Sequence, residues 1–402
     1  MTASMPRVLF FNQAGVYGGA ERSLFDLAVN YPGKHRVVLM QTGPLYDDLI
    51  AAGVDAVVLE TNFHTAQRVG LMGLTLSFWT VILAAIGLVR QCQKYDVVYA
   101  NSMKAAVVAA LSKPLHRRKV VWHLRSLLVP EHFSPVTRLV ARWCGNLGVD
   151  LVIANSNATA EAYQKNGGKH RPLRVYNGFA VDRFVPAKRQ ELRDLLVAEH
   201  GLDPNLPIIG MIGRIGPWKG QVPALMGLSM GTEWQIMVVG GALFESEKYR
   251  RDFRKQAAEI AEGGNIFFLG HRNDIAEIMG GVDVVIHTAT RPEPFGRVIV
   301  EAMLSGTPVI ATHGGGVPEI LEHGVTGLLV EPGSPPALRV AIETVLRDKE
   351  QSQRMAVAAR DYAERNFALE DTLPQIWLAL ESLATETQDR KTAPADYTGA
   401  EV

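Results

Sequence analysis

Cysteine is nearly absent: the 402 residues hold two, Cys92 and Cys144, and neither belongs to a C-x-x-C pair or a Cys/His cluster. A disulfide framework and a structural zinc site are thereby unsupported, and a reducing compartment such as the cytoplasm fits best. Net charge is absent too. Lys+Arg and Asp+Glu number 41 each, which removes a net-charge case for nucleic acid as a partner. The cancellation hides a split, since residues 1–190 carry 22 basic and 11 acidic side chains and the remainder 19 and 30. Only six residues precede a strand-like run at Arg7, too few for the three regions of a secretory leader, so none is expected.

What is present is globular. Hydrophobic residues make up 47% and charged residues 20%, too apolar for a disordered chain, and at roughly 100–200 residues per domain the length predicts two domains. Residues 7–166 alternate short β-rich runs with helical ones, beginning with Arg7 to Asn12, Arg36 to Met40 and Ala56 to Leu59 and ending with Leu151 to Ala154. A second alternating series runs from Ile208 to Val330. Such alternation implies βαβ units and two doubly wound parallel sheets. The expected boundaries are a first domain over 1–180, a charged, proline-containing linker over 181–206, a second domain over 207–368, a helix over 369–385 and a disordered tail over 386–402. Two doubly wound domains joined in this way face a common cleft at the carboxyl ends of their strands, where such folds bind ligands.

The run RPEPFGRVIVEAMLSGTPVIATHGGGVPEILE, from Arg291 to Glu322, is the most informative. A strand ending at His287 gives way to a loop, and Gly296 opens an apolar helix carrying Glu301. Unpaired amides near Phe295, Gly296 and Arg297 can then meet an anion or sugar hydroxyls. A lone glutamate on such a helix can simply favour its dipole, but Glu293 and Glu301 form a spaced pair. From the start of the chain come, in order, Gly18-Gly19-Ala20-Glu21 after the first strand, His123 in VWHLR, Asn155-Ser156, Asn177-Gly178, GRIGPWKG over 213–220, FLGHRND over 267–274, and, within the run itself, GGGVPE over 314–319.

Taken in order, these runs resemble the family 4 retaining glycosyltransferases of the GT-B fold, whose E-x7-E motif matches Glu293 and Glu301; the resemblance covers roughly residues 7–382. It implies two Rossmann-like domains with a C-terminal helix returning to the first. It also implies transfer of a hexosyl unit from a nucleotide-diphosphate sugar to a lipid-linked or growing glycan acceptor, as in polysaccharide or glycolipid assembly. Arg214 and Lys219 then correspond to the cations on the donor diphosphate, a task for fixed charges because the leaving group gains negative charge. Glu293 would face the donor sugar, Glu301 the ribose hydroxyls, and His271 and Arg272 the base. Gly18 and Gly19 would let backbone approach the phosphates, His123 would lie beside the donor sugar, and Arg125 would serve the acceptor side. The family normally works without cofactor or catalytic metal, and no D-x-D cluster is present, so the cations would stand in for Mg²⁺.

Two competing readings have less support. Gly227 to Gly231 fits the G-x-S-x-G of α/β-hydrolases, with Ser229 as nucleophile, and His313-Gly314-Gly315-Gly316 fits an oxyanion loop. Their surroundings oppose it, because a helical pattern rather than a strand precedes Ser229. A non-catalytic nucleotide-sugar-binding protein would not need Arg214, Lys219, Glu293 and Glu301 together. One uncharged stretch, Val69 to Val89 between Arg68 and Arg90, is long enough as a helix to reach about 30 Å. It reads as a buried helix or oligomer contact, as an interfacial helix docking the basic first half on the anionic inner face of a membrane, or as a span. A span conflicts with a single first sheet, because it would put strands before and after it on opposite sides of the bilayer.

Overall fold

The computed structural model describes residues 5–59, 71–228, 233–242, 245, 247–262 and 264–392. Its first sheet joins β1 (Val8–Asn12), β2 (His35–Leu39), β3 (Ala56–Val58), β4 (Val97–Ala100), β5 (Lys119–Leu124), β6 (Leu151–Ala154) and β7 (Leu173–Arg174). All pairs are parallel, in the order β3-β2-β1-β4-β5-β6-β7. The second sheet joins β8 (Ile208–Ile212), β9 (Gln235–Val239), β10 (Ile266–Gly270), β11 (Val284–His287), β12 (Val309–Thr312) and β13 (Leu328–Val330), again parallel, as β10-β9-β8-β11-β12-β13. Strands β1, β8, β9 and β11 are buried along their whole length, as expected where helices cover both faces and side chains need not alternate. The expected pair of Rossmann-like domains is therefore present.

Each sheet has a core on either face. One face of the first sheet packs Val8, Phe10, Val121 and Ile153 against Leu373, Ile376 and Leu380 of the final helix, Leu369–Thr392. That helix returns to the first domain, as the resemblance implies. It runs past 385 to Thr392, where a tail was expected to begin at 386, because TETQDRKT continues a helix already anchored by buried Leu380 and Leu383; residues 393–402 lie outside the described ones. The region expected as a linker, 181–206, is itself partly helical: Arg189–His200 packs on Ile275–Gly281 of the second domain with Leu196 buried.

The helix Pro135–Gly148 has no counterpart in the sequence reading, and its amphipathicity explains why. Its buried residues are small, Ala141, Cys144, Gly145 and Gly148, whereas Val136, Leu139, Val140, Trp143 and Leu147 are exposed. A Cβ on Gly148 would stand 2.4 Å from that of Ala110, so small residues bring this helix close to Met103–His116. A pattern that looks for large apolar residues inside assigns such a helix the wrong face.

Residues 71–91 form a helix whose Ala84 and Leu88 enter the first-domain core while Leu83 and Ile86 stay exposed. Among the described residues no helix is long and apolar enough to cross a membrane. The spanning reading thus finds no support in residues 71–91, since β3 and β4 on either side belong to one sheet; Val69 and Gly70 lie outside the described residues.

Candidate active site

In the second sheet β8 pairs with both β9 and β11, so the chain reverses its direction of winding there and leaves a crevice beyond the strand ends. Arg214 and Lys219 come from the loop after β8 and Glu293 from the loop after β11. Gly220 allows the two loops to meet: its φ is +69°, and a Cβ there would lie 2.1 Å from the Thr288 carbonyl oxygen. Lys219 Nζ then donates to Glu293 Oε2 at 2.6 Å, with both side chains largely buried. His287 Nε2 lies 3.4 Å from the same oxygen. Burial alone would raise the Glu293 carboxyl, but Lys219 and His287 outweigh it and hold the group well below the usual carboxylate range. The glycine loop clasps Glu293 from behind. Gly316 N–H donates to the Glu293 carbonyl at 2.8 Å, and Gly315, at φ +63°, has no room for a Cβ, which would meet that oxygen at 2.1 Å. The indole of Trp218 lies 4.2 Å from Lys219 Nζ and 5.7 Å from the Arg214 guanidinium carbon, each measured to the ring centroid.

Gly296, at φ +103°, opens the helix Arg297–Leu304, and Glu301 sits one turn in, 3.5 Å from Arg297 Nε. The Phe295 ring packs between Phe179 and Phe367. In the segment expected to meet the base, His271 is exposed, while the Arg272 guanidinium is held by Asp274 at 2.6 Å and Glu199 at 2.8 Å.

The first-domain wall is built from strand ends. Gly18 precedes the helix Gly19–Val29, and a Cβ on Gly19 would come within 3.2 Å of Arg297 Cδ. Arg125, just past β5, donates to Asn101 Oδ1 at 2.7 Å and Asn177 Oδ1 at 2.6 Å, and its third contact is His123 Nδ1 at 3.2 Å. Ser23 joins Asn177 to Arg297, accepting from Arg297 Nη1 at 2.8 Å. Burial raises the Glu21 and Asp26 carboxyls; Asp26 is 3.8 Å from Arg297.

The two walls are latched together. Ser156 Oγ donates to the Pro294 carbonyl at 2.6 Å, and His132 Nε2 lies 2.8 Å from that of Pro292. The Glu319 carboxylate accepts the Asn157 and Ala158 amides at 2.7 and 2.8 Å, at the start of the first-domain helix Asn157–Lys165, where an anion is favoured.

Between the walls lies a cleft of about 880 Å³, bordered by Gly18, Gly19, Arg125, Arg214, Lys219, His271, Arg272, Glu293, Phe295, Gly296, Arg297 and Glu301. The expected site residue it does not include is His123, which is 1% exposed and lies beneath Arg125. Trp218, His287, Asn101 and His132 carry no assignment from sequence. Trp218 stood in view inside GRIGPWKG; His287 ends β11, Asn101 follows β4 and His132 lies in a loop, where only the sheet order shows what they face. A larger cavity, about 1060 Å³, opens among Arg7, Lys113, Arg117 and Trp143 and borders none of the expected residues. The rival nucleophile Ser229 lies outside the described residues, but Gln221–Leu228 before it is a helix, not the strand a nucleophile elbow requires.

Two doubly wound domains closing on a cleft with paired cations and carboxylates define a GT-B group-transfer protein. The family follows from comparison. Residues 17–183 match the model for Glycosyltransferase Family 4 and residues 193–362 that for Glycosyl transferases group 1. The structure of Anabaena Alr3699/HepE in complex with UDP and glucose is 34% identical, with a TM-score of 0.83 over 94% of this chain and 100% of that one. The D-inositol 3-phosphate glycosyltransferase of Corynebacterium urealyticum is 25% identical over 319 residues, 73% of each chain. That of Corynebacterium glutamicum is 31% identical over 220 residues, 52% of this chain and 50% of the relative. The chain belongs to the group 1 glycosyltransferases of family 4.

Proposed function

We propose that the protein is a retaining, metal-independent hexosyltransferase that uses a UDP-sugar and passes the sugar to a lipid-linked or growing glycan acceptor. The observation that carries this reading is the single wall holding Arg214, Lys219, Glu293 and Glu301 together, with Lys219 already ion-paired. A diphosphate entering beside Arg214 competes for Lys219 and releases the Glu293 carboxylate toward the sugar, where positive charge develops as the glycosidic bond breaks. The acceptor attacks on the face from which the diphosphate leaves, and the leaving phosphate takes its proton. UDP is favoured by the relative solved with UDP and glucose.

The test is a thermal-shift screen against UDP, GDP and their sugars: a ligand at 100 times its Kd stabilises by about 2.7 kcal/mol. A shift with UDP and none with GDP supports the reading, and no shift with any of them overturns it.

A lipid-linked acceptor brings a second reading, docking of the first domain on the cytoplasmic, anionic face of a membrane. Exposed Leu83 and Ile86 on one helix, and Leu139, Val140, Trp143 and Leu147 on another, favour it. Residues 96–150 contain eight Lys or Arg and three acids; Arg125 belongs to the cleft and Lys113 and Lys119 pair with Asp150, which leaves Lys104, Arg117, Arg118, Arg138 and Arg142 for anionic lipid, where each cation near the surface contributes about 1 kcal/mol. Co-sedimentation with phosphatidylserine vesicles tests it. Binding that Trp143→Ser and Leu147→Ser weaken supports docking; absence of binding at low salt assigns these faces to an oligomer contact, read by sedimentation velocity.

A further inference from the structure

His123 was the first-domain residue expected beside the donor sugar, yet it is the residue that the cleft leaves out. It lies on the floor below, buried, with Tyr99 on one side and Arg125 above. Two groups meet its Nδ1: the Tyr99 hydroxyl, which can donate or accept, and Arg125 Nη2 at 3.2 Å, which can only donate. A nitrogen that accepts from a guanidinium carries no proton, so the ring is neutral with its hydrogen on Nε2, and the Tyr99 hydroxyl can only donate toward Nδ1. That Nε2 has no partner among the described residues.

Arg125 is the reverse case. It borders the cleft, and its hydrogen-bond acceptors are the neutral Asn101 and Asn177 amides and the neutral His123 ring. Burial draws its pKa down to about 10, far enough above neutrality that the guanidinium keeps its charge. Among the described residues it has no ion pair, the buried Glu21 and Asp26 carboxyls acting on it only from beyond contact; a cation seated on three neutral acceptors is fixed in direction, and its field is available to negative charge arriving in the cleft. Asn177 and Ser23 tie it to Arg297 at the start of the donor-side helix. Its place is therefore set relative to both walls.

We propose that Arg125 is the catalytic cation the first domain presents to the reacting sugar diphosphate, and that Tyr99 and His123 are positioning residues that aim it. The assignment rests on reading the cleft as the nucleotide-sugar site. It replaces a direct role for His123, whose contribution runs through Nδ1, the nitrogen that faces Arg125.

Asparagine separates the two roles, because its side-chain oxygen occupies the place of a histidine Nδ1 and leaves nothing at Nε2. UDP affinity is read by calorimetry and turnover by UDP release from UDP-glucose, with acceptor or with water. Arg125→Ala is expected to lose about 10²–10³-fold in kcat, the scale of a missing preorganised donor, with UDP affinity changed less than about threefold. Millimolar guanidinium chloride restores part of that loss. His123→Leu is expected to lose about tenfold or more, whereas His123→Asn stays within about threefold of wild type. Tyr99→Phe, which removes one hydroxyl from a buried ring, lowers kcat and leaves KM unchanged. If His123→Asn is as impaired as His123→Leu while Arg125→Ala turns over normally, the histidine acts directly and the proposal falls. If the wild type does not bind UDP at all, the reading of the cleft fails first, which the calorimetry shows before any variant is compared.

Discussion

The two walls of the cleft hold charge in different ways. On the second-domain wall Lys219 and Glu293 neutralise each other at 2.6 Å, so an anion that takes Lys219 has to displace Glu293. On the first-domain wall Arg125 rests on neutral oxygens and a neutral ring, so nothing has to leave when negative charge appears. An exchanged pair couples binding to the release of a carboxylate. A charge on neutral acceptors costs more to bury but is already oriented when the bond breaks.

The sharpest way to test this contrast is on the second wall. Lys219→Ala and Arg214→Ala should each lower kcat/KM by about 10²–10³-fold and weaken UDP binding as well; the loss of affinity is what distinguishes them from the first-wall variants. Steady-state kinetics with calorimetry reads both, and unchanged values in folded protein remove the diphosphate assignment.

Glu293→Gln reports on the pair itself. Breaking a buried pair leaves Lys219 uncompensated, at a cost of about 3–5 kcal/mol. The Glu293 carboxyl is held below its ordinary value in the folded state, so the stability it supplies is present above the unfolded carboxyl pKa and is lost as pH falls through the lower folded value. The difference in Tm between wild type and Glu293→Gln should therefore be large at pH 7 and shrink below about pH 4. A gap independent of pH would mean that the carboxylate is not what the amide replaced.

Smaller effects follow. Glu301→Gln keeps its size while weakening acceptance from ribose hydroxyls, and should raise donor KM by about tenfold with kcat nearly unchanged. Arg272→Ala should change donor KM by less than about threefold, because its guanidinium is already held by Asp274 and Glu199; a larger change would mean that it leaves them for the nucleotide. Added EDTA should change nothing, and activity lost to EDTA and restored by Mn²⁺ would end the metal-free reading.

Of these features, the second wall was legible in the linear chain because Glu293, Phe295, Gly296, Arg297 and Glu301 fall within one loop and the first turns of one helix, and local spacing fixes such a unit. Arg214 and Lys219 share another loop in the same way. The doubly wound fold was legible because buried parallel strands read as apolar runs between helical stretches. Three things were not. The helix Pro135–Gly148 buries its small residues and exposes its large ones, which inverts the usual pattern. The helix Arg189–His200 is polar over most of its surface and reads as a linker. His123 and Arg125 are two residues apart across the end of β5, and nothing local says which of them reaches the cleft.

The chain by itself therefore determined the family, the pair of parallel sheets and which charged residues the second-domain loops carry, because each depends on residues close together in sequence. Only the tertiary structure decided the first-domain wall. Asn101, Arg125 and Asn177 follow three different strands, and their meeting depends on the order β1-β4-β5-β6-β7, which winding and packing set rather than spacing. Depth was decided there too: the end of β5 carries His123 under the floor and Arg125 onto it, because the ring packs beside Tyr99 while the longer side chain extends to Asn177 and the cleft.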